Sequence, residues 1–267
     1  MRYLAGLLIA IPLLAQTPDA AEIMRQVGEN VGRANAARAQ WVYDQNVFVR
    51  LKRANEKLAR EESRRYTVVP GKKRARRQLV SVEGKILDGK RETVYSEAGY
   101  RTKEADIDGA LVDSLAREVM WGENTLATVE YWFPFDAKNQ GRYTFKLEGE
   151  ERYHDYDVYR ISFRAKEDEW VGEALIEKNE LQPVLVTSAW VGKVPTAVAI
   201  GLGTNVKQIG AKITYKRFDR GVWFPVECGG EMKLRVLFLY ARTIAFSARN
   251  ADFRKADVQS SVEFAKE

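Results

Sequence analysis

The chain has 267 residues, 45% of them hydrophobic and 30% charged, with a formal net charge of +6 and a pI near 9.2. That length suits one large β-rich domain or two small ones, and the balance excludes a disordered chain and a membrane-embedded one. A single cysteine, Cys228, excludes an intramolecular disulfide, and the lone histidine, His154, leaves no His/Cys ligand set for zinc.

Taken in order, the chain starts with Arg2 and the apolar run Leu4 to Leu14, followed by the small residue Ala15. A basic start, an apolar run and a small residue read as a secretory signal over residues 1–15. The run falls short of the roughly 20 apolar residues a spanning helix needs. The mature chain, 16–267, is expected to be one soluble periplasmic domain. Pro18 to Ala39 predicts its first helix, with Asp19 as cap and Ile23, Val27 and Val31 on one face.

The period then changes from helical spacing to two. Trp41, Tyr43, Val47, Val49 and Leu51 share one face of a long strand, with Gln45 among them. Ser63 to Val69 and Arg76 to Leu87 predict two more strands, the second closing at Asp88-Gly89, and Thr93 to Tyr95 a short one. Ile107, Leu111, Leu115 and Val119 return to helical spacing, and Leu126, Val129, Trp132 and Phe133 extend that insert to Pro134. Arg142 to Gly192 reads as a four-stranded meander, in which Tyr143, Phe145 and Leu147, then Tyr159, Ile161 and Phe163, then Trp170, Ala174 and Ile176 alternate with polar neighbours. Val171 and Leu175 break that alternation. Val194 to Gly203 reads as a loop. Lys207 to Phe218, Gly221 to Glu227, Glu231 to Tyr240 and Thr243 to Asn250 then predict four further strands.

The usual chemistries find no support in the residues. His154 sits in the turn-like Tyr153-His154-Asp155-Tyr156-Asp157 with no nucleophile motif beside it. Gly201-Leu202-Gly203 begins like a dinucleotide fingerprint but lacks its third glycine and its strand–turn–helix setting. The expectation is therefore a non-catalytic chain without cofactor or metal.

Charge is distributed unevenly. Between Arg50 and Arg77 twelve cationic side chains face only Glu56, Glu61 and Glu62, a surplus of nine that exceeds the net charge of the whole chain. Two readings stand. Arg64, Arg65, Arg74 and Arg76 form a contact surface for anionic lipid, lipopolysaccharide or an acidic envelope protein, export arguing against nucleic acid. Alternatively the hairpin is solvated, its charges protecting it from edge pairing.

The elements predict an α+β chain whose antiparallel sheet is long enough to curl. Incomplete cover by the helix and the insert would leave an apolar cavity, with Trp121, Leu126, Trp132 and Phe133 at its rim. The competing reading makes Trp41, Trp170, Trp190, Trp223 and Phe224 core. The order of elements resembles the periplasmic lipoprotein-carrier superfamily of LolA-like, LolB-like and RseB-like proteins. Four phrases carry the likeness: Ala21-Glu22-Ile23-Met24, Tyr159-Arg160-Ile161-Ser162-Phe163, Trp170-Val171-Gly172-Glu173-Ala174-Leu175-Ile176 and Gly221-Val222-Trp223-Phe224-Pro225. The resemblance implies an unclosed (half) β-barrel with helices as its lid, holding the acyl chains of a lipid or lipoprotein in outer-membrane lipoprotein sorting. The alternative is an envelope protein-interaction or stress-sensing module of the same fold that uses the basic Arg50–Arg77 hairpin as its contact surface. The expected ligand-binding residues are Trp41, Tyr43, Val47, Val49, Leu111, Leu115, Leu126, Trp132, Phe133, Trp170, Ala174 and Ile176.

Overall fold

The computed structural model describes residues 19–38, 40–69, 76–118, 134–135, 137, 139–167, 170–191, 204–218, 221–236 and 240–256. Helix α1 (Ala20–Arg38) is followed by strands β1 (Trp41–Arg53), β2 (Leu58–Val69), β3 (Arg76–Asp88) and β4 (Arg91–Tyr95). Helix α2 (Ile107–Glu118) precedes β5 (Tyr143–Tyr153), β6 (Tyr156–Ala165), β7 (Trp170–Glu177), β8 (Pro183–Trp190), β9 (Thr204–Arg217), β10 (Trp223–Val236) and β11 (Tyr240–Lys255). The eleven strands make one antiparallel sheet in the order β4-β3-β2-β1-β11-β10-β9-β8-β7-β6-β5. β4 and β5 are its two edges and do not pair, so the sheet is an open half-barrel, as expected.

Residues opposite one another in a ladder point to the same side, so the pairings trace rows across the sheet. One row runs Leu147, Ile161, Ala174, Val186, Ile213, Cys228, Ala248, Val47, Arg64, Val82. Nine of those ten side chains are apolar or thiol, and both helices lie on this inner side. The next row is small: Gly172, Ser188, Ala211 and Gly230 follow one another, and Gly84 lies further along. Three of its glycines pair with an aromatic residue, Gly172 with Phe163, Gly230 with Phe246 and Gly84 with Tyr95. A Cβ at Gly84 or Gly172 would overlap the facing ring, and at Gly230 it would meet Phe246 Cζ at 2.7 Å. The absent side chains let the rings lie down across the sheet and fill the interior.

This row explains one departure from expectation. Gly229-Gly230 separates two predicted strands, yet β10 runs through it unbroken. Pairing on both sides, with β9 and β11, outweighs the low strand propensity of glycine. The chain at 194–203, expected as a loop, lies outside the described residues.

Helix α1 buries Ile23, Met24, Val27 and Val31 against β5 and β10. Asp19 Oδ1 accepts from the Ala21 amide at 3.1 Å, as an N-cap should. Asn30 fixes the helix to the β7–β8 turn by donating to the Glu180 carbonyl at 2.6 Å, and the Gln140 amide donates to the Met24 carbonyl. On the solvent side Arg25 bridges Glu22 and Glu29, and its hydrogen bond holds the Glu22 carboxyl down at about 2.

Helix α2 lies against β1 and β2, but turned from the expected face. Val112 and Ala116 are fully buried, Leu111 and Leu115 half-buried, and Ile107 is 47% exposed. The rotation follows from charge, because Asp108 and Asp113 must face arginines of the sheet.

Candidate functional site

Among the described residues, the apolar side chains expected to line a cavity divide into three groups. Val47, Val49, Ala174 and Ile176 are fully buried in the core with α1 and the sheet. Trp41 and Tyr43 belong to a separate aromatic cluster with Phe218, Phe224 and Phe253; Trp41 meets Phe224 edge-on at 5.4 Å and Tyr43 stacks on Phe253 at 5.3 Å. Leu111, Leu115 and Trp170 are half-buried against the core. Leu126, Trp132, Phe133 and Trp121 lie outside the described residues.

Trp170 leads to the part of the inner face that sequence reasoning missed. It pairs with Trp190, the two indoles edge-to-face at 5.5 Å. The same row continues through Ile209 to Met232, then Ile244 and Leu51. Trp190, Met232 and the neighbouring Leu234 are half-buried, whereas Ile244 and Leu51 are sealed. At one end of the inner face, apolar side chains on β7, β8 and β10 are therefore only half-buried. The signal was present in the alternation of Met232 and Leu234 with Lys233 and Arg235, but a strand prediction ending at Tyr240 does not say which end of the inner face is only half-buried.

The basic segment divides between surface and interior: Arg50, Lys57, Arg65 and Arg76 are exposed, while Arg60 and Arg64 are buried. Arg60, Glu62 and Arg64 occupy alternate positions on the inner face of β2, each 1–2% exposed. Arg64 Nε donates to Glu62 Oε1 at 2.5 Å and its Nη2 to Asp113 Oδ1 at 2.8 Å. Tyr95 Oη donates to Glu62 Oε2 at 2.6 Å and accepts from Arg60 Nε at 2.8 Å. Arg60 completes its set with Asp106 Oδ2 at 3.0 Å and the Tyr100 carbonyl at 2.8 Å. Of the four arginines expected on a contact surface, Arg64 is thus withdrawn into the core, Arg65 and Arg76 are exposed, and Arg74 lies outside the described residues. Charged hydrogen-bonding groups are tolerated inside a protein when every partner is supplied, which the segment around α2 does.

Electrostatics within this network follow its geometry. Burial pushes the Arg64 guanidinium down, but hydrogen bonding to Asp113 and the charge of Glu62 outweigh it, and the net shift is upward. Burial and the Glu62 carboxylate raise the Tyr95 phenol, so it stays a donor. Burial alone would raise Asp106; the amides of Thr102 and Gly109 and the charge of Arg60 hold it below its ordinary value.

Beside the network, at the N-terminal end of α2, lies a cavity of about 510 Å³. Arg53, Arg60, Arg91, Lys103 and Arg242 face it, as do Asp88, Asp106 and Asp108. Arg242 grips Asp108 with both arms, Nε to Oδ1 and Nη2 to Oδ2, each at 2.9 Å, while Tyr240 Oη donates to the same carboxylate. Arg53 spends its guanidinium on the carbonyls of Leu58 and Leu87.

Cys228 is buried, and His154 is exposed in the β5–β6 turn. Among the described residues no three His, Cys, Asp or Glu side chains are placed to hold a metal ion, and no helix is long and apolar enough to cross a membrane.

No protein-family model matches the sequence, and no curated protein does. Among solved structures the chain is similar to a DUF1329 family protein from Desulfovibrio piger ATCC 29098, at 12% identity and a TM-score of 0.39 over 93% of this chain and 96% of that one. It is also similar to lipovitellin, a structure described for its lipid–protein interactions, at 11% identity and a TM-score of 0.36 over 83% of this chain. The chain spans about a quarter, 26%, of the lipovitellin chain. At such scores neither likeness carries an argument about activity, and the functional reading rests on the inner face itself.

Proposed function

We propose that this chain is an exported, non-catalytic binding protein that holds an acyl chain or similar amphiphile against the inner face of its half-barrel. The observation that carries the reading is the uneven cover of that face. Val47, Val49, Ala174 and Ile176 are sealed in one core cluster with residues of α1, α2 and the sheet, while Trp170, Trp190, Met232 and Leu234 at one end stay half-buried. Apolar side chains in a concave, partly covered setting are what an apolar ligand needs. The secretory signal read in residues 1–15 supports a periplasmic setting, and the resemblance to the lipoprotein carriers supports a role in lipoprotein sorting or envelope lipid handling.

The test is native mass spectrometry of the full chain purified from a periplasmic extract. The expected result is a co-purified lipid mass that is lost on collisional activation, with its occupancy reduced several-fold in Trp170→Ala/Trp190→Ala. A chain that emerges ligand-free, and takes up no fatty acid on incubation, would overturn the proposal.

A further inference from the structure

Row by row, the half-exposed apolar end of the inner face leads into the cationic cavity. Leu234 on β10 pairs with Arg242 on β11, which pairs in turn with Arg53 on β1. Both arginines line the cavity, so Leu234 and Arg53 sit only two strand spacings apart, roughly 10 Å. The cavity walls carry five cationic side chains against three carboxylates. Asp106 and Asp108 are taken up by Arg60 and Arg242. Among the described residues Arg53, Arg91 and Lys103 meet no carboxylate at ion-pair distance, and Arg91 and Lys103 are exposed at the mouth. Arg91 comes from the start of β4 and Lys103 from the chain entering α2, so the surplus positive charge is built from two separate segments facing one volume.

We infer that this cavity receives the anionic head of the amphiphile, a phosphate or carboxylate, while the tail runs over Leu234 and Met232 toward Trp190. The inference rests on the binding function proposed above and adds the ligand's class, an anionic amphiphile, and its orientation. A surplus of cations beside a low-dielectric apolar surface favours a head group that brings its own negative charge, and arginine matches both phosphate and carboxylate geometry.

The discriminating experiment compares a tail-matched pair. Calorimetric titration of the full chain with decyl phosphate and with 1-decanol should show the phosphate binding about tenfold more tightly at low salt, the ratio shrinking as salt rises. Arg91→Gln/Lys103→Gln should bring the two ligands to about equal affinity, and Arg91→Lys/Lys103→Arg should restore the preference. Thermal melts of each variant, matched to the wild type, exclude unfolding as the cause. Equal affinities in the wild type, or a preference that survives in the glutamine variant, would overturn the head-group cavity and leave the acyl-binding proposal standing. Failure of both ligands to bind would remove both. Displacement of decyl phosphate by inorganic phosphate at equal ionic strength would show that the free anion is the ligand, which would also overturn the orientation inferred here.

Discussion

Arg64 is the residue that most changes the view of this chain. On the inner row of β2, its neighbours in register are Val47 and Val82, and its charge is met by Glu62 and Asp113. Removing one member of such a pair leaves the other buried and unpaired. Arg64→Ala is therefore expected to cost about 3–5 kcal/mol in urea unfolding, and Glu62→Leu/Arg64→Met to recover most of it. A loss under ~1 kcal/mol in the single variant would show that Glu62 relaxes to solvent instead. The sequence made this arrangement hard to see, because an arginine in a run of arginines reads as solvated. Its partners arrive from far along the chain, Asp106 lying 46 residues beyond Arg60 and Asp113 49 beyond Arg64. Period-two alternation does place Arg60, Glu62 and Arg64 on the face of Tyr66 and Val68, but alternation assigns a face and not its cover.

At the scale of the element, α2 is held by charge at both ends. Asp106 and Asp108 lie at its start, where the helix dipole favours acids, and Arg77 donates to the Ala116 and Arg117 carbonyls at its end, each at 3.0 Å. Asp106 caps the helix by accepting from the Gly109 amide at 2.8 Å while also binding Arg60. Its folded-state pKa lies below the ordinary 3.8, so its stabilisation is complete above that value and is lost as pH falls through the depressed one. Asp106→Asn keeps an acceptor for Gly109 but loses the charge, and should destabilise the chain by roughly 1.5–3 kcal/mol at pH 7. The gap from wild type should close as the solution is acidified below 3.8; a gap constant from pH 7 to pH 2 in urea titrations would contradict this account. The helix itself was legible from its spacing. Its rotation was not, because Ile107, Leu111 and Leu115 form as good an apolar row as Val112 and Ala116, and only the sheet arginines decide between them.

For the molecule as a whole, the strands were the most readable feature, since one face of each is apolar and the turns carry their own residues. Their order in the sheet was not read from the residues. β1 pairs with both β2 and β11, joining the first and last strands of the chain at the middle of the sheet. One buried cluster runs from Met24 on α1 through Ile161 and Val186 to Val49 and Ala248. Unfolding is accordingly expected to follow a single transition, with tryptophan fluorescence and far-ultraviolet circular dichroism sharing one midpoint in denaturant. Two separated midpoints would mean that the α1 side and the α2 side of the sheet melt independently.

The two unpaired edges set a mechanical property. In a closed barrel, strand number and stagger fix the diameter, and widening it means breaking a ladder. Here β4 and β5 share no hydrogen bonds, so the distance between them can change by small adjustments of twist spread over ten ladders, with every backbone bond kept. The interior is thus compliant where a closed barrel is rigid. No single interior width is built into such a backbone; an amphiphile held as proposed above would meet a face whose curvature can follow its size.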